Sequence, residues 1–181
     1  MGTLTTITEP TIEPVTVEEA KLALNIEHDD DDIRIEGYIQ AAREWAEKYL
    51  DKRIMTQTVE RSYDTWPASI IDLDVDPIQS IDSIKYDDTS SPVTEITYTE
   101  NTDYYTDIKT DGGRVVSING WDSVADKPNA IRIRMTVGYT TQALVPFQIK
   151  EGIKAFVVYL YEQNCDMMQV AKDILWAVKR L

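Results

Sequence analysis

Apolar positions follow two rhythms along this chain: a spacing of three and four towards both ends, and an alternation of two through the middle. Residues 1–13 show neither; they are Thr-rich, carry Pro10, and read as an extended arm. After Pro14, Thr16-Val17-Glu18-Glu19 has the Thr-x-x-Glu spacing of a capping box, in which each side chain satisfies a free amide at a helix start. A short helix is predicted through Leu24, with Ala20, Leu22, Ala23 and Leu24 as its apolar side and Asn25 as its end. A longer helix follows. Asp29 to Asp32 put negative charge where the helix dipole favours it. Ile35, Tyr38, Ile39, Ala42, Trp45, Ala46, Tyr49 and Leu50 then form one continuous face. Arg43, Glu44, Glu47 and Lys48 are assigned to the solvent side, with Glu44 and Lys48 four apart in the favourable order.

From about residue 52 the texture becomes that of strands. Thr56, Thr58, Val59, Tyr63, Ile70, Ile71, Leu73, Val75, Ile84, Tyr86, Ile96, Tyr98, Tyr104 and Tyr105 fall in short β-forming runs. Trp66-Pro67, Asp76-Pro77, Ser91-Pro92 and Asp111-Gly112-Gly113 punctuate them as turns. The clearest strand is 131–139, whose alternation places Arg132, Arg134 and Thr136 on an outer face. Helix returns after Val145-Pro146. Phe147, Ile149, Ile153, Phe156, Val157 and Leu160 form its stripe, with Gly152 marking a close backbone approach. A last helix after Asn164 carries Met167, Val170, Ala171, Ile174, Val178 and Leu181 on one face. The predicted fold class is α+β. Helices in 14–51 and 145–181 form a small helical bundle, and a β-rich antiparallel insertion spans 52–144.

Charge narrows the partners. Against 32 acidic residues stand 18 basic ones, a formal net charge of −14, which argues against a general grip on nucleic acid. No apolar run approaches the roughly 18 residues of a membrane span, so no membrane partner is expected. The start Met1-Gly2-Thr3-Leu4-Thr5-Thr6 lacks the basic region and apolar core of a secretory signal.

Candidate chemistry is sparse. One cysteine, Cys165, excludes an internal disulfide, and one histidine, His28, excludes most histidine-built sites. Consecutive Asp29–Asp32, with Glu36-Gly37 following too soon, do not have the alternating ligand spacing of a calcium loop. His28 beside them reads as a solvated turn residue, and Cys165 as a buried or idle thiol. Asp111-Gly112-Gly113-Arg114 lacks a phosphate loop's Gly-Lys-Ser/Thr ending and precedes a strand, so it reads as a hairpin turn. No catalytic, cofactor-binding or metal-ligating residue is predicted. Trp176, near Gln169, Lys172, Asp173 and Arg180, falls off the apolar stripe of its helix and points to a contact surface.

Pro14-Val15-Thr16-Val17-Glu18-Glu19-Ala20-Lys21, the Asp29–Asp32 run and Ala41-Ala42-Arg43-Glu44-Trp45-Ala46-Glu47 together resemble the start of phage head–tail connector (adaptor) proteins. Further pieces match in order. They are Thr56-Gln57-Thr58, Asp76-Pro77-Ile78-Gln79-Ser80-Ile81, Ile84-Lys85-Tyr86-Asp87, and Pro128-Asn129-Ala130-Ile131-Arg132-Ile133 with Val137-Gly138-Tyr139. Val145-Pro146-Phe147-Gln148-Ile149-Lys150-Glu151-Gly152-Ile153 closes a likeness covering about residues 14–163. These proteins belong to long-tailed phages and gene transfer agents.

The resemblance implies a non-enzymatic virion protein at the head–tail junction, present in the host cytoplasm before assembly. It implies a homo-oligomeric ring, dodecameric when docked under the portal protein ring, that extends the DNA channel and offers a platform to a stopper or tail-terminator protein. DNA would pass through without specific binding, and the acidic excess would then keep the wall from holding the genome. No cofactor is implied. A C-terminal segment inserts into the portal in such adaptors, which would assign that contact to Ile174, Leu175, Trp176, Val178, Lys179, Arg180 and Leu181. An alternative reading of the residues is a small carbohydrate- or peptide-binding module, its face built from Tyr63, Trp66, Tyr86, Tyr98, Tyr104 and Tyr105. A carboxylate-pair hydrolase is a third.

Overall fold

A computed structural model describes residues 2–110 and 112–179. The chain divides into two compact units, one of residues 1–9 and 56–138, the other of residues 10–55 and 139–181. Helices lie towards both ends and strands through the middle, so the α+β class holds.

The helical unit holds α1 (Val17–Leu24), α2 (Asp32–Leu50), α3 (Phe147–Glu162) and α4 (Cys165–Lys179). The capping box forms as its spacing requires: Glu19 N–H donates to Thr16 Oγ1 at 3.1 Å and Thr16 N–H to Glu19 Oε2 at 3.0 Å. Asn25 ends α1 in the left-handed conformation at φ 56°, which its short polar side chain tolerates. Ala20 and Leu24 are buried, whereas Leu22 is exposed and does not share their face. Along α2 the buried positions are Ile35, Ile39, Ala42, Arg43, Ala46, Glu47 and Leu50. Each large aliphatic among them contributes roughly 1.5–3 kcal/mol by leaving water.

Arg43 and Glu47 correct the solvent-side assignment. Arg43 is 2 % exposed, because Glu13, from the segment before α1, covers that flank and meets its Nε at 2.8 Å. Glu47, one turn along, approaches its Nη1 at 3.5 Å and accepts the Ile54 N–H at 2.9 Å. Burial alone would lower the Arg43 pKa, but the Glu13 hydrogen bond and the carboxylates of Glu47 and Glu44 outweigh it and raise it.

Across α3, Ile149, Gly152, Ile153, Ala155, Phe156, Val157 and Val158 are buried, as expected of a central helix. Phe147 is the exception, 70 % exposed at the first position of the helix, two residues before its buried stripe begins at Ile149. Trp45 of α2 stacks on Phe156 at 4.0 Å between ring centres. Gly152 does mark a close approach. A Cβ there would stand 2.5 Å from Cδ2 of Leu175, so α4 sits almost against the backbone of α3.

The strand unit contains two antiparallel sheets. Strands β1 (Thr3–Thr8), β2 (Gln57–Tyr63), β4 (Ile78–Asp87), β5 (Glu95–Tyr98) and β8 (Ile131–Val137) form the larger, in the order β1-β2-β8-β4-β5. Strands β3 (Ile70–Asp72), β6 (Tyr104–Asp107) and β7 (Arg114–Ser117) form the smaller, in the order β3-β7-β6. Of the residues read as an arm, Thr3–Thr8 thus make an edge strand on β2. In the central strand β8, Ile131, Ile133, Met135 and Val137 are buried while Arg132, Arg134 and Thr136 take the other face, as the alternation predicts. Their core joins Val59, Ile71, Leu73, Val75, Ile84 and Val115. The β6–β7 hairpin turns through Gly112 and Gly113 at φ 79° and 62°, a left-handed path that glycine follows without strain. Asp111, which the sequence reading placed in that turn, lies outside the described residues.

Candidate functional site

The helical unit carries the surfaces on which the sequence reading placed contacts, and its polar links fix them. Glu19 does double duty, capping α1 and accepting from Lys150 Nζ of α3 at 2.8 Å. Burial works to raise its pKa, but the Lys150 ammonium and the Thr16 N–H hold its carboxyl below the ordinary value. Lys21 spans Asp29 at 2.6 Å and Asp32 at 2.9 Å, and the Asp29 carboxyl is lowered by that lysine. Tyr161 donates to Asp31 at 2.7 Å, and Arg34 lies 5.3 Å and 5.0 Å from the ring centres of Tyr38 and Tyr161. The acidic run therefore works as a helix start tied to its neighbours. His28 beside it is half exposed, its Nδ1 3.9 Å from Asp30.

Between the start of α1 and the middle of α2 lies a groove of about 490 Å³, lined by Val15, Val17, Ile33, Ile39, Gly37 and their polar neighbours. Ile33 is 87 % exposed beside it, and Glu36 and Gln40 stand on the exposed side of α2. Glu13 and Gln142 close the other side, joined by a Gln142 side-chain hydrogen bond to the Glu13 carbonyl at 2.7 Å. The sequence pattern did not single out this groove.

On α4 the residues assigned to a portal contact separate. Leu175 is fully buried with Ala171, and it anchors the helix instead of presenting itself. Ile174 and Val178 are half-buried, and Trp176 is 52 % exposed with Ala177 beside it. Lys179 is exposed and donates to the Tyr49 carbonyl at 2.7 Å, its ammonium 5.4 Å from the centre of that ring. Arg180 and Leu181 lie outside the described residues. Val170 and Trp176 are the large apolar side chains that α4 exposes. Cys165, at its first turn, is exposed and not buried.

The strand unit answers the alternative of an aromatic binding face. Tyr63, Tyr86, Tyr98 and Tyr104 are buried. Tyr86 and Tyr98 stack at 4.8 Å, Trp66 stacks on Trp121 at 4.4 Å, and both tyrosine hydroxyls donate to Asp122 Oδ2 at 2.9 Å. Burial and the Asp122 carboxylate push the Tyr86 and Tyr98 hydroxyls up. These rings hold a loop to the sheet, and of the six only Tyr105 is mostly exposed. On the outer face, Arg132 pairs with Asp87 at 2.7 Å and Glu95 at 2.9 Å, and Lys127 also meets Asp87. Arg132 holds the Asp87 carboxyl far below the carboxylate range. Such pairing ties the outer face of the sheet together. Among the described residues there is no group of three or more His, Cys, Asp or Glu that could hold a metal, and no helix long and apolar enough to cross a membrane.

A sequence model of the family described as phage gp6-like head–tail connector protein matches residues 14–108. No curated protein matches the chain. The fold is similar to a chain in the neck of an empty gene transfer agent (GTA) particle computed with C6 symmetry, with a TM-score of 0.73 and 14 % identity, covering 88 % of this chain and 84 % of that one. A chain of the virion of the native GTA particle matches with the same values. A chain of the neck of the native particle computed with C12 symmetry gives a TM-score of 0.65 at 15 % identity, covering 88 % and 83 %.

Proposed function

The chain belongs to the phage gp6-like head–tail connector family, and from that premise we propose that it forms a ring in the neck of a tailed particle, docked beneath the portal. The family match over residues 14–108 carries this reading, and a fold shared with neck chains over 88 % of the length supports it. The role is structural: the ring extends the DNA channel and presents a platform to a stopper or tail-terminator protein. Its copy number is twelve, in keeping with the C12 symmetry of one similar neck. Free subunits wait in the host cytoplasm.

Helix α4 supplies the portal contact. Trp176, Val178 and Lys179, with Ile174 at the margin, form the contact, and Leu175 holds the helix in place from beneath. A half-exposed Trp flanked by a lysine fits the anchor residues of protein interfaces. A net charge of −14 on each subunit keeps the channel wall from gripping DNA, provided that acidic residues line it.

The test mixes the full chain with portal rings from the same particle and looks for an added collar by electron microscopy. The expected result is a collar with the native chain and its loss with Trp176→Glu, whose fold is checked by circular dichroism. A portal that stays bare with the native chain at every protein and salt concentration overturns the docking. A collar with the variant as strong as with the native chain removes α4 from the contact.

A further inference from the structure

Arg61 occupies a core position without a counter-charge. Strand β2 alternates, so Val59, Arg61 and Tyr63 share its buried face, and the arginine is 5 % exposed. A guanidinium so enclosed is stabilised when a carboxylate meets it and its N–H groups find acceptors. Here no carboxylate forms an ion pair with it among the described residues. Its Nη2 reaches the Asp74 carbonyl at a long 3.3 Å, and its Nε has no partner. The side chain lines a pocket of about 250 Å³, where Tyr63, Pro67, Ala68 and Ile70 supply apolar walls.

The same pocket takes in the open edge of the smaller sheet. In the order β3-β7-β6, β3 has a neighbour on one side only. Ser117 N–H donates to the Ser69 carbonyl, and Leu73 N–H donates to the Gly113 carbonyl. Antiparallel pairing alternates, so the backbone groups of Ile71 also face β7, while those of Ile70 and Asp72 face away from it. Both Ile70 and Asp72 line the pocket. Further along, Ile71, Leu73 and Val75 are buried, which turns Asp72 and Asp74 to solvent. These two carboxylates also line the pocket, and neither makes an ion pair among the described residues. An open strand edge accepts an added strand: backbone hydrogen bonds supply affinity, and the pockets beside the edge supply selectivity.

We propose that an extended, basic peptide segment of a partner protein adds to the β3 edge. Its backbone bonds Ile70 and Asp72, one of its carbonyls accepts from Arg61 Nε, and its lysine or arginine side chains meet Asp72 and Asp74. A carbonyl satisfies the orphaned donor without bringing further charge into the pocket. An acidic occupant would face two unpaired carboxylates on a chain of net charge −14, so charge complementarity selects a basic one. The site lies in the strand unit and needs neither the ring nor the portal contact.

The test is an NMR titration of the isotope-labelled full chain with a short blocked peptide of alternating valine and lysine, and with its valine–glutamate counterpart. The expected result is saturable shifts of the Ile70 and Asp72 amides and of the Arg61 Nε–H with the lysine peptide, and far weaker ones with the glutamate peptide. Asp72→Asn with Asp74→Asn, both at exposed positions, should keep the fold and weaken the lysine peptide about threefold to tenfold. Ile70→Pro removes a donor that β7 does not use, and should abolish the shifts at Asp72 and Arg61 while the Val115 amide stays in place. If any of the three signals is unmoved at saturation, or if the glutamate peptide binds as well, the site is overturned. Full binding by Ile70→Pro overturns the strand addition. The same shifts on concentrating the chain alone would give the edge to a second copy and refute an outside partner.

Discussion

The close approach of Leu175 to the Gly152 backbone offers a sharp test of how α4 is held. A methyl added at Gly152 would lie 2.5 Å from Cδ2 and 2.6 Å from Cγ of Leu175, where ordinary contact begins at 3.4 Å. Gly152→Ala gains about 1 kcal/mol of helix propensity but forces Leu175 off its seat, at about 1–3 kcal/mol. The net expectation is a loss of up to about 2 kcal/mol, opposite in sign to the usual Gly-to-Ala effect in a helix. Leu175 is fully buried, so Leu175→Ala alone should cost about 2–5 kcal/mol. Combined, the new methyl occupies space that the leucine vacates. The double variant should therefore be at least about 1 kcal/mol more stable than the sum of the single effects. Urea unfolding followed by the helical circular dichroism signal reads each value, with unchanged slopes confirming comparable transitions. If Gly152→Ala stabilises the protein, or if the two effects add, Leu175 does not press on Gly152 and the seating of α4 is misread.

Three further outcomes follow from the polar links. Arg43→Ala removes the buried cation shared by Glu13 and Glu47, together with its packing, and should cost about 3–5 kcal/mol, whereas Arg43→Met with Glu47→Gln should recover part of it; chemical denaturation measures both. Asp87, its pKa depressed by Arg132, contributes stability in full above the unfolded carboxylate pKa of about 4, and loses it as pH falls through the lower folded value. Asp87→Asn should therefore lower the melting temperature at neutral pH, and the gap to the native chain should narrow in strong acid. Asp122→Ala deprives the Tyr86 and Tyr98 hydroxyls of their acceptor, at about 1–3 kcal/mol, and should change the near-ultraviolet dichroism of the stacked Trp66–Trp121 pair.

Local rules carried the reading where a single element decides its own geometry. The Thr16–Glu19 box, the left-handed Asn25 and the alternation of β8 need only neighbours in sequence, and each appears in the structure. Arg43 and Glu47 failed that logic because Glu13, 30 residues before Arg43, covers their flank, and periodicity within α2 carries no sign of it. Phe147 failed for the converse reason: it has the spacing of a core residue but stands at the first position of α3, ahead of the packed stripe. The tyrosines of the middle section were visible as aromatic residues but not as a cluster, since Asp122, which gathers two of them, lies 24 and 36 residues further along. Trp176 was legible as an exposed aromatic. Leu175 was not legible as its anchor, because the reason lies across the helix pair in Gly152. The groove at Gly37 left one trace, a glycine inside a helical pattern.

The connector role is tested most directly by assembling particles without this chain. Deleting its gene from the producing phage or gene transfer agent, and imaging the lysate by electron microscopy, should yield DNA-filled heads and free tails that do not join, with joining restored when the purified protein is added back. Intact tailed particles formed in its absence would contradict the account.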